Sequence, residues 1–304
     1  MTRCLTLLAL TTALATPHMA AAQEITEFNI GVLGGENAQE RMTNNECLRV
    51  AAEEALGVPV KLFTPADYDG VIQGLLGGSL DAAILGASGY AKAYLTDPEA
   101  VEPVLVKTNL DGASTYHSIG FARKDSGIAS LDDMKGKVLG FGDPNSTSGY
   151  LIPAVEMPES GYSVEPGEYF SDIKFTGGHE QTIVAVSNGD IDAGVTWADG
   201  LGDWEDGYNS GALRKAVDSG IVDMNELVEI WKSEPIPEGP MVVRKALPQD
   251  IKDKFTALLA GLVETDPECA YGVAGGETAG FEPVSHDAYK TIIKVREQEQ
   301  GKDS

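Results

Sequence analysis

Basic side chains are scarce in this sequence: 22 Lys and Arg stand against 47 Asp and Glu over 304 residues, a formal charge of -25. A protein that reads nucleic acid through its phosphates needs a basic face, so nucleic acid is excluded as a partner. Cysteine is nearly absent, with three residues, and histidine is little commoner, with four. They form no Cys-x-x-Cys and no His-x-x-x-His, so no metal site and no cofactor is expected. A Gly-x-x-x-x-Gly-Lys-Ser/Thr nucleotide loop is missing, and no Gly-x-Ser-x-Gly elbow frames a serine nucleophile. Beyond the N-terminal segment no apolar run is long enough to span a bilayer, so the chain is not expected to be membrane-inserted.

What is there reads as a globular protein. Hydrophobic residues make up 42% and charged residues 23%, far from the apolar-poor composition of disorder. The 35 glycines and 15 prolines imply many short elements joined by tight turns. Residues 1–22 place Arg3 before an apolar run and end in Ala20-Ala21-Ala22, the pattern of a cleaved signal peptide, so the expected location is the periplasm. About 280 residues then remain, a length that favours two α/β lobes over one domain. Of the cysteines, Cys47 and Cys269 stay in the exported chain. An isolated pair in an oxidising compartment is expected to be bridged, the alternative being two buried thiols.

Residues 28–33 read as a strand, 44–56 as a helix stopped by Gly57, and 58–63 as a second strand, which implies a parallel sheet with helical crossovers. An internal repeat supports two lobes. Residues 68–88 (YDGVIQGLLGGSLDAAILGAS) lie without a gap on residues 179–199 (HEQTIVAVSNGDIDAGVTWAD), with Ile72/Ile183, Gly78/Gly189, Asp81/Asp192, Ala82/Ala193 and Ala87/Ala198 identical. Each copy reads as helix, glycine turn and buried strand. Tyr68 and His179 then begin helices, while Ser88 and Asp199 follow strand ends. Ligands in open α/β sheets gather at those places, so the four are expected around one cleft.

Between them lies KVLGFG (137–142), then DPNSTSG (143–149). Ser146, Thr147 and Ser148 stand where a helix begins. Backbone N–H groups there are unpaired and carry about half a positive charge. With three hydroxyls added, the loop can surround a tetrahedral oxyanion without a lysine or arginine. A simple Ser/Thr helix cap accounts for the same residues.

The phrases DYDGVIQG (67–74), FGDPNSTSGYLIP (141–153), GGHEQTIVAVSNGDIDAG (177–194) and VEIWKSEPIPEGP (228–240) together resemble the phosphonate-binding periplasmic proteins of the PhnD type. These belong to the phosphate/phosphite/phosphonate branch of ABC-transporter substrate-binding proteins. The resemblance implies a type II periplasmic-binding-protein fold: two α/β lobes joined by a two-segment hinge, with the ligand cleft between them. Lobe one would be residues 24–115 and 242–304 and lobe two 116–241, with crossings near 116–121 and 236–242. By motif position Ser146, Thr147, Ser148 and His179 would hold the phosphonate oxygens, with Tyr68 opposite and Tyr116 lining the cleft. Asp199 would take the ligand amine. The second acid of the amine-binding pattern is replaced by Gly239, with Glu238 one residue earlier as a further candidate.

The function implied is capture of a small phosphonate, with 2-aminoethylphosphonate the expected ligand, and delivery to an inner-membrane ABC permease without chemistry. A receptor for phosphite, phosphate or another oxyanion, a sensory binding protein, and a phosphorus-ester hydrolase are the rivals. The long C-terminal extension of some relatives is missing, so a monomer is expected.

Overall fold

A computed structural model describes residues 25–33 and 37–302; the segment read as a signal peptide lies outside the described residues. The first sheet is built from β1 (Phe28–Gly31), β2 (Val60–Phe63), β3 (Ala82–Ile84) and β4 (Val101–Thr108), with α1 (Ala38–Leu56), α2 (Tyr68–Leu76) and α3 (Ala87–Thr96) between them. The second takes β5 (Thr115–Arg123), β6 (Val138–Phe141), β7 (Asp172–Phe175), β8 (Ala193–Ala198), β9 (Leu227–Lys232) and β10 (Ile236–Pro237), with α4 (Pro153–Glu159), α5 (His179–Asn188) and α6 (Ala212–Asp218). The chain then returns to the first sheet through β11 (Pro240–Arg244) and β12 (Gly280–Pro283), carrying α7 (Gln249–Ala260), α8 (Leu262–Thr265), α9 (Pro267–Ala274) and α10 (Lys290–Lys302). Strand order is β12-β4-β11-β3-β1-β2 in one sheet and β10-β5-β8-β6-β7 in the other, where β9 also pairs with β5.

The chain leaves the first sheet after Thr108 and comes back at Pro240. The sequence reading put the first crossing over residues 116–121. Those residues instead pair with β8, β9 and β10 inside the second sheet, because buried Ile119 and Phe121 belong to the core of that lobe. Pro240 and Met241, assigned by sequence to lobe two, pair with β4 of the first sheet.

Each lobe repeats one plan: a central strand flanked by two parallel neighbours, β2-β1-β3 in one and β7-β6-β8 in the other. The identities in the repeat have structural causes. Gly78 and Gly189 hold φ of 76° and 80°, the left-handed region that a side chain resists, at the turn out of α2 and α5. Asp81 accepts the backbone N–H of Asn29 on β1, and Asp192 accepts that of Val138 on β6, both at 2.8 Å. Each aspartate therefore pins its own strand to the central one. Ile72 and Ile183 are fully buried beneath the two helices.

Helix α1 starts six residues before the sequence reading had it, at Ala38 rather than Asn44. Asn37 caps it, accepting from the N–H groups of Gln39 and Glu40. The polar stretch that follows has no apolar period, so periodicity alone could not include it. Helices cover both faces of the first sheet. One core cluster contains Phe28, Leu48, Leu105 and Phe255, and another contains Ile72, Leu85, Tyr90 and Tyr289. Cys47 of α1 and Cys269 of α9 are joined by a disulfide, with Cα atoms 5.8 Å apart.

Candidate ligand site

Four helix starts open onto one cavity of about 180 Å³: Tyr68 of α2, Gly86 before α3, Thr147, and His179 of α5 all line it. Side chains take part of the first-turn N–H groups at these starts: Tyr68 N–H donates to Asp143 Oδ2 at 3.3 Å and Ser88 N–H to Thr147 Oγ1.

The turn after β6 has a sequence cause. Pro153 has no N–H to offer the carbonyl of Gly149, and that carbonyl accepts the N–H of Gly142 instead, at 2.8 Å. Bonds from Leu151 N–H to Ser146 O and from Ile152 N–H to Thr147 O wind residues Thr147–Leu151 as a π-type turn fastened to the end of β6. Ser146 Oγ accepts the N–H of Gly149 at 2.9 Å and lies 3.4 Å from His179 Nε2. Ser146 is therefore a helix cap and a wall residue at once. Thr147 Oγ1 accepts the N–H of Ser88 at 2.9 Å, which leaves its own proton to donate. Ser148 holds its position through its carbonyl, which accepts from Ser118 Oγ at 2.7 Å. His179 Nδ1 is 3.2 Å from Thr196 Oγ1. Burial, and then the Glu238 carboxylate, push the Tyr116 phenol far above its usual range, so it stays a donor beside Ser148 and Thr147.

Tyr68, Tyr116, Ser146, Thr147, Ser148, His179 and Glu238 all line the cavity. Two expected residues do not. Ser88 is fully buried behind Thr147, which it serves through its backbone N–H. Asp199 turns away to cap the Gly200 turn, accepting from Leu201 N–H at 3.2 Å. The sequence reading gave Asp199 the ligand amine by motif position. The fold supplies a cation of its own: Lys107, near the end of β4, acts electrostatically on both Asp199 and Glu238. Gly239 also acquires a reason. A Cβ there would sit 1.9 Å from the carbonyl of Leu85, so no side chain fits at this position.

Sequence reasoning missed Lys107, Trp197 and Arg296. Lys107 follows the apolar run Val104–Val106 near the end of β4, the one local signal it carries. Arg296 of α10 is buried, and its guanidinium donates to Pro144 O at 2.9 Å and to Asn145 Oδ1 at 3.0 Å, bracing the hydroxyl loop from the other lobe. Arg296→Ala should weaken all tetrahedral anions about tenfold by loosening that loop, and Arg296→Lys should restore only part, since an ammonium lacks the fork. Titration calorimetry with methylphosphonate and phosphate checks this, and unchanged affinity would remove the brace.

Burial raises the carboxyls of Asp143, Glu156, Asp199 and Glu238 above their ordinary values, with Lys107 opposing the rise at Glu238. Folding thus favours their protonated forms. The stability tied to them is complete below the ordinary carboxylate range and is lost as pH climbs through the raised values. Glu27, Glu46, Asp133 and Asp287 are held low by hydrogen bonds to Lys61, Arg49, the Ala129 N–H and Lys290, but these exposed contacts contribute little. The melting temperature should therefore rise as pH is lowered through the interval just above the ordinary carboxylate range. A thermal scan in matched ionic strength that is flat or falls over that interval would contradict it.

A family model described as ABC transporter, phosphonate, periplasmic substrate-binding protein matches residues 30–289. The chain belongs to this family. It is a substrate-binding protein of the ABC-transporter phosphonate family and not an enzyme. It is 31% identical to the phosphonates-binding periplasmic protein of Escherichia coli, over 95% of this chain and 80% of that one. It is 28% identical to the phosphate-import protein PhnD of Mycolicibacterium smegmatis, over 89% and 88%. Among solved structures, a binding protein component of an ABC phosphonate transporter from Pseudomonas aeruginosa superposes with TM-score 0.78 at 26% identity, covering 92% of this chain and 88% of that one. PhnD1 from Prochlorococcus marinus in complex with methylphosphonate shares the fold, with TM-score 0.74 at 17% identity over 90% and 98%. The two-lobed periplasmic-binding-protein architecture is thus that of this substrate-binding protein. Among the described residues, no helix is long and apolar enough to cross a membrane.

Proposed function

We propose that this substrate-binding protein captures a small phosphonate by its head group, closes its lobes over it and hands it to an inner-membrane permease. The observation that carries the reading is the convergence of four helix starts with Ser146, Thr147, Ser148, His179, Tyr68 and Tyr116 on one cavity. That set offers hydroxyl, imidazole and backbone groups on several sides, which suits a tetrahedral oxyanion. The moving bodies would be residues 25–108 with 240–302, and residues 115–237. Contacts between them, Tyr68 N–H to Asp143 and Ser88 N–H to Thr147, are ones a ligand touching both lobes would favour. The cavity exceeds the ~150 Å³ that accepts a benzene ring, so there is room for a short tail beyond the head.

Relatives named for phosphonates, phosphate and phosphite support the head group and leave the tail open. The sequence reading would set the amine of 2-aminoethylphosphonate against Asp199. Calorimetry with methylphosphonate, ethylphosphonate, phosphite and phosphate tests the reading: stoichiometric binding of at least one phosphonate is expected. Binding of none of the four would overturn it, as would steady turnover of a chromogenic phosphate ester.

A further inference from the structure

The tail end of the cavity is organised by an ion pair between two residues remote in sequence. Lys107 is 6% exposed and Glu238 9%. Lys107 Nζ stands 3.6 Å from Glu238 Oε1, at ion-pair rather than hydrogen-bond distance, and donates to Ser210 Oγ at 3.1 Å. Its ammonium also lies 5.4 Å from the centre of the Trp197 ring. Glu238 is fixed through its backbone, whose N–H bonds Ser114 O and whose carbonyl accepts from the Tyr289 hydroxyl at 3.1 Å. Glu238 Oε1 is buried and accepts no hydrogen bond among the described residues. Both side chains line the cavity.

The charge on the wall is opposite in sign to that of the chain. Arg41, Lys107 and Lys215 line the cavity against two acids, Glu40 and Glu238, although the protein as a whole carries -25. A ligand ammonium brought to Glu238 would share one carboxylate with Lys107. Two like charges on a single partner in a poorly hydrated site repel strongly. A hydroxyl fits the same place, because its proton can go to Glu238 Oε1 while its oxygen accepts from Lys107.

We infer that Lys107 and Glu238 form a tail subsite for phosphonates with a neutral, hydroxyl-bearing tail, and that Lys107, standing where a ligand ammonium would otherwise sit, selects against amines. This deepens the capture reading and rests on it.

Three nearly isosteric ligands test the assignment: 2-hydroxyethylphosphonate, ethylphosphonate and 2-aminoethylphosphonate, titrated calorimetrically into the full exported protein. The wild type should bind the hydroxyl ligand about tenfold or more tighter than the amine, with ethylphosphonate between them. Lys107→Met should invert the order, making the amine ligand the tightest, because Glu238 is left without its cation. Glu238→Gln should move the other way, lowering the amine further and bringing the hydroxyl ligand down toward ethylphosphonate. Loss of fold lowers all three ligands together and cannot shift the ratios in opposite directions, and if Lys107→Met does not fold, the wild-type order and Glu238→Gln decide. A wild type that binds the amine as tightly as the hydroxyl ligand overturns the tail subsite while leaving phosphonate capture intact. Ratios unmoved in the variants do the same. Absence of binding to every phosphonate overturns the capture reading and this one with it.

Discussion

Thr147→Val is expected to weaken every phosphonate and phosphate by about tenfold to a hundredfold, whatever the tail, since a hydrogen bond to a charged group contributes about 1.5–3 kcal/mol. Valine keeps the shape of threonine, so no cavity opens and the buried neighbours stay in place. What is lost is a hydroxyl with two roles. It has a proton to give the anion, and it accepts the N–H of Ser88 across the lobe boundary at 2.9 Å. Without that acceptor the buried N–H of Ser88 loses its partner across the lobe boundary, which adds to the cost of the described arrangement. Affinities for methylphosphonate and phosphate should therefore fall in parallel. Equal affinity in variant and parent would put the oxyanion elsewhere; a loss confined to one ligand would make Thr147 a tail contact.

The second large effect concerns stability. Removing the Cys47–Cys269 bridge by the double change to alanine should lower stability by about 2–5 kcal/mol, the range for native disulfides in exported proteins. The bridge spans 222 residues, so it restricts the unfolded chain over most of its length. It also ties α1 to α9, and with them the first and last parts of the same lobe. For a protein of this size the loss corresponds to roughly 5–10 °C in melting temperature. Calorimetric scans of parent, double variant and reduced parent measure it. Intact mass after alkylation of the native protein gives a direct count, and two thiols modified without reductant would contradict the bridge. Phosphonate affinity should survive the double change, because neither cysteine touches the cavity wall.

Much of the candidate site was legible because its parts are local. A helix start is set by a few consecutive residues, so the hydroxyl run of DPNSTSG, Tyr68 and His179 could be recognised one by one. The repeat added the geometry: two copies of helix, glycine turn and strand put their first residues at equivalent places in two lobes. The residues placed wrongly depend on where a side chain turns after its strand ends. Asp199 follows β8 as expected, yet its carboxylate folds back on Leu201 N–H, and Ser88 reaches the site only through its backbone.

The sequence by itself determined the class of the protein, two α/β lobes with matching helix starts and a hydroxyl-rich turn between them, because backbone caps, glycine turns and buried strands are written in short contiguous stretches. The tertiary structure alone decided which charges meet. Lys107 reaches from β4 to Ser210 of the other lobe and to Glu238 in the returning segment, and Arg296 of the last helix grips the loop that starts the site. Side chains so far apart in the chain share no local pattern, and a Coulomb interaction depends on separation and burial that only the packed fold sets.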